Sequence, residues 1–184
     1  MTTKIKSILH QLHSEFRLKQ LGEVALFIGI QVIKTNNSYF LHQQHYAREL
    51  LSHAGFTDCK PSTTSIGMKR SKELIDKAYS DPTHYQKLAG SLHYLSITRS
   101  DIAFATNYIC QHMHNPINMN FQDLKHLLRY IKDTINYGLR IQSENLMLRT
   151  YTNVDWASDS ADRKSITSFC TFLGPNLIYW SIKK

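Results

Sequence analysis

The chain has 184 residues, of which 42% are hydrophobic, and its formal net charge is +8. That length fits one domain or two small ones, and the composition excludes low-complexity and collagen-like chains. The charge favours a polyanionic partner such as nucleic acid, but a basic surface that only keeps the protein soluble fits it equally well. Three widely spaced cysteines argue against a disulfide framework and indicate a reducing compartment. No apolar run reaches membrane-spanning length, and the N-terminus lacks a signal-peptide core.

Residues 1–60 predict a helix, a hairpin and a second helix. The run "EVALFIGIQVIK" is apolar on both faces and predicts a buried strand. The turn residues "TNNS" and the segment "YFLHQ" follow it, which predicts a β-hairpin over residues 24–42. A second amphipathic helix follows the hairpin and ends at Gly55. The first helix is predicted from apolar residues at helical spacing, namely Ile5, Ile8, Leu9, Leu12 and Phe16.

Residues 61–81 are rich in Ser, Thr and charge, show no period, and predict a linker. Residues 82–138 predict a unit of three helices. Asp81 and Pro82 are suited to begin the first of them, as N-cap and first-turn proline. Ser100 or Asp101 is a candidate cap for the second helix. Asn120 and Asp123 resemble a capping box for the third.

Residues 139–184 change to strand patterns, in "LRIQ", "LMLRTYT", "TSFCTFL" and "LIYWSI". The second of these strands leads into "YTNVDWASDSADRKS", which carries Asp155, Asp159 and Asp162. Carboxylates at strand ends are typical of metal-dependent phosphodiester chemistry. The first polar position after the strand tyrosine and threonine is nevertheless Asn153, a neutral amide.

A row of cations lies on the third helix of the 82–138 unit, at Lys125, Arg129 and Lys132. Their spacing of i, i+4 and i+7 places them opposite the leucine stripe. One interpretation is a helix that follows a nucleic-acid backbone, because cations meet phosphates without reading sequence. The other is an ordinary solvated helix face. The histidines and cysteines show no zinc spacing and are interpreted as surface or packing residues.

Several spaced motifs together resemble the later part of the Pol polyprotein of copia-type LTR retrotransposons of the plant kind. They are "LKQLGEVALFIGIQV", "LHQQHYARELLSHAGFTDCKPSTT", "YQKLAGSLHYLSITRSDIAFATN", "LKHLLRYIKDTINYGL" and "YTNVDWASDSADRKS" with "CTFLGPNLIYWSIKK". The resemblance implies an α+β fold. Residues 1–60 would be the end of the reverse transcriptase palm and residues 82–138 the thumb and connection helices. Residues 139–184 would be the opening strands of an incomplete RNase H-like sheet.

The resemblance also implies enzymes that use Mg²⁺, and this sequence departs from them. The family's Tyr-x-Asp-Asp polymerase turn does not occur in the 184 residues. Asn153 occupies the position of the first RNase H aspartate. Asp155 is a poor substitute, because two residues along a strand are roughly 7 Å apart. The family's remaining RNase H carboxylates would come after Lys184. We therefore expect a catalytically inactive fragment that needs no cofactor.

Two classes of function remain open. In the first, the chain binds an RNA–DNA hybrid or duplex weakly and without sequence preference, through Lys125, Arg129 and Lys132. In the second, it is a non-enzymatic scaffold or protein-interaction module. The C-terminal strands could support self-association, because an unpaired edge with apolar faces tends to associate. The resemblance implies an intracellular location, in the cytoplasm or nucleus.

Overall fold

The computed structural model describes residues 2–17, 22–67, 77–155 and 164–184. These residues form five α-helices and two antiparallel sheets, which confirms the predicted α+β class. None of the described helices has the length and apolarity that a bilayer span requires. The helices are α1 (Thr2–Glu15), α2 (Gln44–His53), α3 (Pro82–Leu95), α4 (Ala103–Gln111) and α5 (Asn118–Asp133).

The strands divide between two sheets. The first sheet has the order β1-β2-β3-β4 and the second the order β5-β6-β7, with antiparallel neighbours throughout. The first contains β1 (Leu26–Phe27), β2 (Ile30–Lys34), β3 (Ser38–His42) and β4 (Leu139–Gln142). The second contains β5 (Leu148–Val154), β6 (Thr167–Leu173) and β7 (Asn176–Lys183).

The helix starts agree with the sequence prediction in one case and differ in two. The Asp81 carboxylate accepts a hydrogen bond from the backbone N–H of His84 at 2.9 Å, with proline next in the chain, as predicted. Helix α5 begins at Asn118, ahead of the predicted cap, and the Asn120 side chain accepts from the backbone N–H of Ile117 instead. Asp101 does not cap α4. It lies in a 3₁₀ turn, where its carboxylate binds an arginine.

The hairpin predicted over 24–42 is present as β2 and β3, but the single buried strand predicted before its turn is wrong. Ile28 and Gly29 both have positive φ, 46° and 67°, and they turn the chain between β1 and β2. Positive φ at two adjacent residues matches the tight hairpin turns that favour glycine. The hydroxyl of Tyr94 donates to the carbonyl oxygen of Ile28 and holds this turn against α3. Strand β1 is exposed, not buried.

The core joins segments that the sequence analysis assigned to separate domains. Strand β4, from the 139–184 segment, pairs with β3 of the 1–60 segment, with Leu139 opposite Leu41. Helix α2 packs against α3 and α5. One buried cluster therefore contains Ala47, Leu50 and Leu51 of α2 together with residues of the 82–138 unit. Those residues are Tyr85, Leu88, Ala89, Leu92, Leu95, Ile102, Ala105, Ile109, Leu124, Leu127, Leu128 and Ile131.

Candidate nucleic-acid interface and the strand carrying Asn153

The three predicted cations of α5 are half-buried, and each contacts other groups of the chain. The Lys125 ammonium lies 5.2 Å from the ring centre of Phe121, within the range of a cation–π contact. Arg129 Nε donates to the carbonyl oxygen of Lys60 at 2.7 Å. Lys132 Nζ donates to the carbonyl oxygen of Cys59 at 2.6 Å. The three cations therefore lie on one helix, and two of them also hold a neighbouring segment.

That segment, residues 59–67, lies along α5 and includes the first part of the predicted linker. Its backbone N–H at Ser62 donates to the carbonyl oxygen of Arg129 at 3.2 Å. His126 Nε2 lies 2.9 Å from the carbonyl oxygen of Thr64 and 3.2 Å from Ser62 Oγ. Since a carbonyl can only accept, that contact places the ring proton on Nε2. The segment and α5 thus form one surface, with Arg129 inside the contact.

A buried arginine lies at the centre of a polar cluster. Arg99 is 2% exposed. Its Nε and Nη2 donate to the two carboxylate oxygens of Asp101 at 2.9 and 2.8 Å. Its Nη1 and Nη2 donate to the carbonyl oxygen and the hydroxyl of Thr134. This bidentate arrangement matches the planar fork of a guanidinium and ties the turn before α4 to the end of α5.

Two further contacts extend this cluster. The Tyr130 hydroxyl donates to Asp101 at 3.0 Å, and burial together with the Asp101 charge raises the pKa of that tyrosine. Nearby, the Thr98 hydroxyl donates to the buried side-chain carbonyl of Gln43 at 2.9 Å.

Sequence reasoning missed Arg99. Its only local signal is the spacing of Arg99 and Asp101, because Thr134 lies far along the chain.

Asn153 and Asp155 have different environments at the end of β5. Asn153 is exposed and lies opposite Ser168 of β6. The Asp155 carboxylate accepts from the backbone N–H of Ile166 at 2.5 Å, and its own N–H donates to the carbonyl oxygen of Ile166 at 3.1 Å. Asp155 therefore fixes the point where the chain returns to the sheet. The predicted carboxylates Asp159 and Asp162 lie outside the described residues.

The described residues at this strand end, Asn153 and Asp155, do not by themselves supply the carboxylates that hold a pair of Mg²⁺ ions. Such a pair is held by several carboxylates that converge on cations roughly 4 Å apart. Here one position is a neutral amide, and the neighbouring carboxylate accepts a backbone hydrogen bond. In the described part of the chain, no three His, Cys, Asp or Glu residues come together as a possible metal site.

A cavity of about 370 Å³ lies between the 59–67 segment, α4, α5 and the second sheet. Its wall is mainly apolar and includes Ile66, Phe104 and Ile166, with Asp155 at the sheet side. Asn153 is not part of that wall. This cavity therefore adjoins Asp155, which holds the strand end, and not Asn153.

One of the three cysteines, Cys110, has a thiol that its burial makes a weaker nucleophile. Cys59, Cys110 and Cys170 are unpaired with one another and half-buried. Burial raises the pKa of Cys110, which disfavours the thiolate that nucleophilic chemistry needs. The interpretation of the cysteines as packing residues fits this environment.

Comparisons with known proteins identify a family model and several relatives. Residues 1–68 match the family model described as reverse transcriptase (RNA-dependent DNA polymerase). The chain is 41% identical over 183 residues to an uncharacterized mitochondrial protein of Arabidopsis thaliana, covering 99% of this chain and 76% of that protein. No solved structure matches the chain.

Longer relatives include polyproteins of plant retrotransposons. The retrovirus-related Pol polyprotein from transposon RE1 of Arabidopsis thaliana is 35% identical over 184 residues, 99% of this chain and 13% of that polyprotein. The corresponding polyprotein from transposon TNT 1-94 of Nicotiana tabacum is 27% identical over 97% of this chain and 14% of its own length. The chain thus spans a small part of these polyproteins. It belongs to the copia-type retrotransposon Pol polyprotein family, as a segment whose N-terminal part matches the reverse transcriptase.

Proposed function

We propose that this Pol segment binds duplex nucleic acid, including RNA–DNA hybrids, weakly and without sequence preference, and that it has no catalytic activity of its own. The observation that carries the binding proposal is the row of Lys125, Arg129 and Lys132 along one side of α5 in a chain of net charge +8. Such a row suits backbone phosphates, which position a protein without specifying a sequence.

The contacts of the row are compatible with this role. The bond from Arg129 Nε to Lys60 uses one of the five donors of a guanidinium. The bond from Lys132 to Cys59 uses one of the three donors of an ammonium. The remaining N–H groups of both side chains can bind phosphate oxygens. The 59–67 segment would then set the direction in which the two side chains point.

The absence of catalysis is proposed from the strand end. Asn153 can offer a carbonyl oxygen but no charge, and Asp155 is engaged by the N–H of Ile166. The polymerase turn Tyr-x-Asp-Asp also does not occur in the 184 residues. We expect no primer extension and no cleavage of RNA in a hybrid by this chain.

A salt titration tests the binding proposal. With three phosphates neutralised, the logarithm of the binding constant for a hybrid should fall with the logarithm of salt concentration with a slope of roughly −3. Changing Lys125, Arg129 and Lys132 together to Gln should weaken binding and flatten this slope. The measurement is fluorescence anisotropy of a labelled hybrid over a range of salt.

A matched control separates the row from net charge. Lys4, Lys6 and Lys87 are exposed lysines on other helices, and changing these three to Gln removes the same total charge. The proposal expects this control to retain most of the slope. Equal loss in both variants, or no loss in either, would show that α5 is not the interface.

A gain-of-function variant tests the proposed lack of activity. Asn153→Asp should not create hybrid-specific RNA cleavage with Mg²⁺ or Mn²⁺, because the variant still leaves Asp155 bonded to Ile166. The native chain, measured in parallel, sets the background. Cleavage by the variant above that background would mean that other residues complete a metal site.

A protein-interaction module is the second candidate, and exposed apolar side chains favour it. Ile5 and Ile8 of helix α1 and Phe16 just after it are more than half exposed. Leu26 and Phe27 of β1 are similarly exposed. Apolar patches of this kind often mark protein contacts. A stable protein complex, combined with no affinity for nucleic acid, would favour this function over the first.

A further inference from the structure

Lys60 belongs to the 59–67 segment, but its backbone lies within the row of α5 cations. The carbonyl oxygen before it, that of Cys59, accepts from Lys132 Nζ at 2.6 Å. Its own carbonyl oxygen accepts from Arg129 Nε at 2.7 Å. The Cα of Lys60 joins these two peptide groups. The Lys60 side chain therefore starts between two cationic head groups of the row.

Two further features fix the backbone at Lys60. The N–H of Ser62 donates to the carbonyl oxygen of Arg129 at 3.2 Å, so the segment is bonded to α5 on both sides of Lys60. Pro61 comes next in the chain, and a proline restricts the residue before it to extended conformations. The backbone of Lys60 is thus ordered before any ligand binds, which lowers the entropic cost of using its side chain.

The Lys60 side chain is exposed, whereas the three cations of α5 are half-buried. Within the described part of the chain, no carboxylate forms an ion pair with its ammonium. An ammonium has three N–H donors and no acceptor, so it is suited to the oxygens of an anion. Like charges this close together also repel each other, and an anion placed among them relieves the repulsion.

We propose that Lys60 is a fourth phosphate-binding residue of the α5 interface, placed there by the 59–67 segment. This role rests on the proposed binding of duplex nucleic acid and adds a cation from a distant part of the sequence to the row. Ammonium and guanidinium groups both form charge-assisted hydrogen bonds with phosphate oxygens. One backbone phosphate can therefore be bound by Lys60 together with Arg129 or Lys132.

His126 is a positioning residue in this arrangement. Its Nε2 lies 2.9 Å from the carbonyl oxygen of Thr64 and 3.3 Å from Thr64 Oγ1, so it holds the part of the segment that follows Pro61. Glutamine at this position keeps an N–H donor for the carbonyl, and leucine does not. The segment, and with it Lys60, should keep its place beside α5 in the first variant and lose it in the second.

A salt titration of two single variants tests the role of Lys60. Each lysine that neutralises a phosphate adds about 0.9 to the magnitude of the log–log salt slope. Lys60→Gln should therefore reduce the slope by about 0.9, measured by fluorescence anisotropy with a labelled RNA–DNA hybrid. Lys87→Gln removes the same charge from an exposed position of α3 and should leave the slope nearly unchanged. Equal effects of the two variants would overturn the role of Lys60.

The triple α5 variant distinguishes this inference from the function on which it rests. If changing Lys125, Arg129 and Lys132 to Gln flattens the slope and Lys60→Gln does not, the α5 interface stands and Lys60 is not part of it. If neither change alters the slope, the proposed nucleic-acid binding fails, and the role of Lys60 fails with it.

A double-variant comparison tests the positioning by His126. In a His126→Leu background, Lys60→Gln should change the slope by much less than 0.9, because Lys60 has already lost its place. In a His126→Gln background the full effect of Lys60→Gln should return, which a loss of general stability would not explain. An undiminished effect in the leucine background would overturn the positioning role. Circular dichroism checks the fold of each variant, and the comparison of Lys60→Gln with Lys87→Gln stands even if His126→Leu does not fold.

Discussion

Loss of the buried Arg99 should cost more stability than loss of any exposed arginine. The change we consider is Arg99→Met, which keeps a long apolar stem and removes the guanidinium. It leaves the Asp101 carboxylate without its bidentate partner and removes two bonds to Thr134. Removing one member of a buried pair costs about 3–5 kcal/mol, because the other charge stays desolvated.

The lower end of that range applies here. The Asp101 side chain is 29% exposed and keeps the hydrogen bond from Tyr130, so water and the tyrosine partly compensate its charge. We therefore expect a loss of about 3 kcal/mol, which for a domain of this size lowers Tm by roughly 6–12 °C. Urea unfolding followed by circular dichroism measures the loss directly.

Two controls make this prediction specific. Arg48→Met, at an exposed position of α2, should change stability by no more than about 0.5 kcal/mol. Adding Asp101→Asn to Arg99→Met should recover part of the loss, because the uncompensated charge is then gone. A cost for Arg99→Met below about 1 kcal/mol, or no recovery in the double variant, would refute this account of the cluster.

The remaining predictions concern a turn and a histidine. Gly29→Ala should destabilise the protein by about 1–2 kcal/mol, since φ there is +67° and the new Cβ would lie 2.9 Å from the Tyr94 hydroxyl. Gly90→Ala, in a helix with open space around it, should instead be neutral or stabilising, and the same loss in both variants would exclude the turn as the cause. Burial is the main reason that the pKa of His42 lies below its usual 6.5, and the nearby positive charge of Arg48 lowers it further. The unfolded chain therefore binds this proton more readily, so stability should be full above pH 6.5 and fall as the pH drops below it. Urea midpoints should show this acid-side slope, and His42→Gln should reduce it. An unchanged slope in that variant would assign it to other groups.

The sequence predicted features whose cause is local. Asp81 and Pro82 predicted the start of α3, because an N-cap and a first-turn proline act within a few residues. The β2–β3 hairpin was likewise predictable from its turn residues. The break between β1 and β2 at Gly29 was not predicted from the apolar run around it. A run that is hydrophobic on both faces has no period that shows where a strand ends.

Features with distant partners were not predictable in the same way. Nothing near Arg99 shows that the end of α5 will accept its bonds. The exposure of β1 was also not predictable. Its apolar residues predicted burial, but in the described part of the chain no helix or sheet covers them. At the candidate sites, the spacing of the α5 cations was predictable. The contacts of Arg129 and Lys132 with the 59–67 segment were not.

The pairing of β3 with β4 bears on the order in which the chain folds. These strands are about a hundred residues apart in sequence, and helices α2 to α5 lie between them. Closing so long a loop is entropically costly unless the intervening chain is already compact. During synthesis β3 cannot pair with β4 until residue 142 has left the ribosome, and the edge of the β2–β3 hairpin that β4 covers stays unpaired until then. The amides of β3 and β4 that bond to each other should therefore be among the last in the first sheet to gain protection from hydrogen exchange.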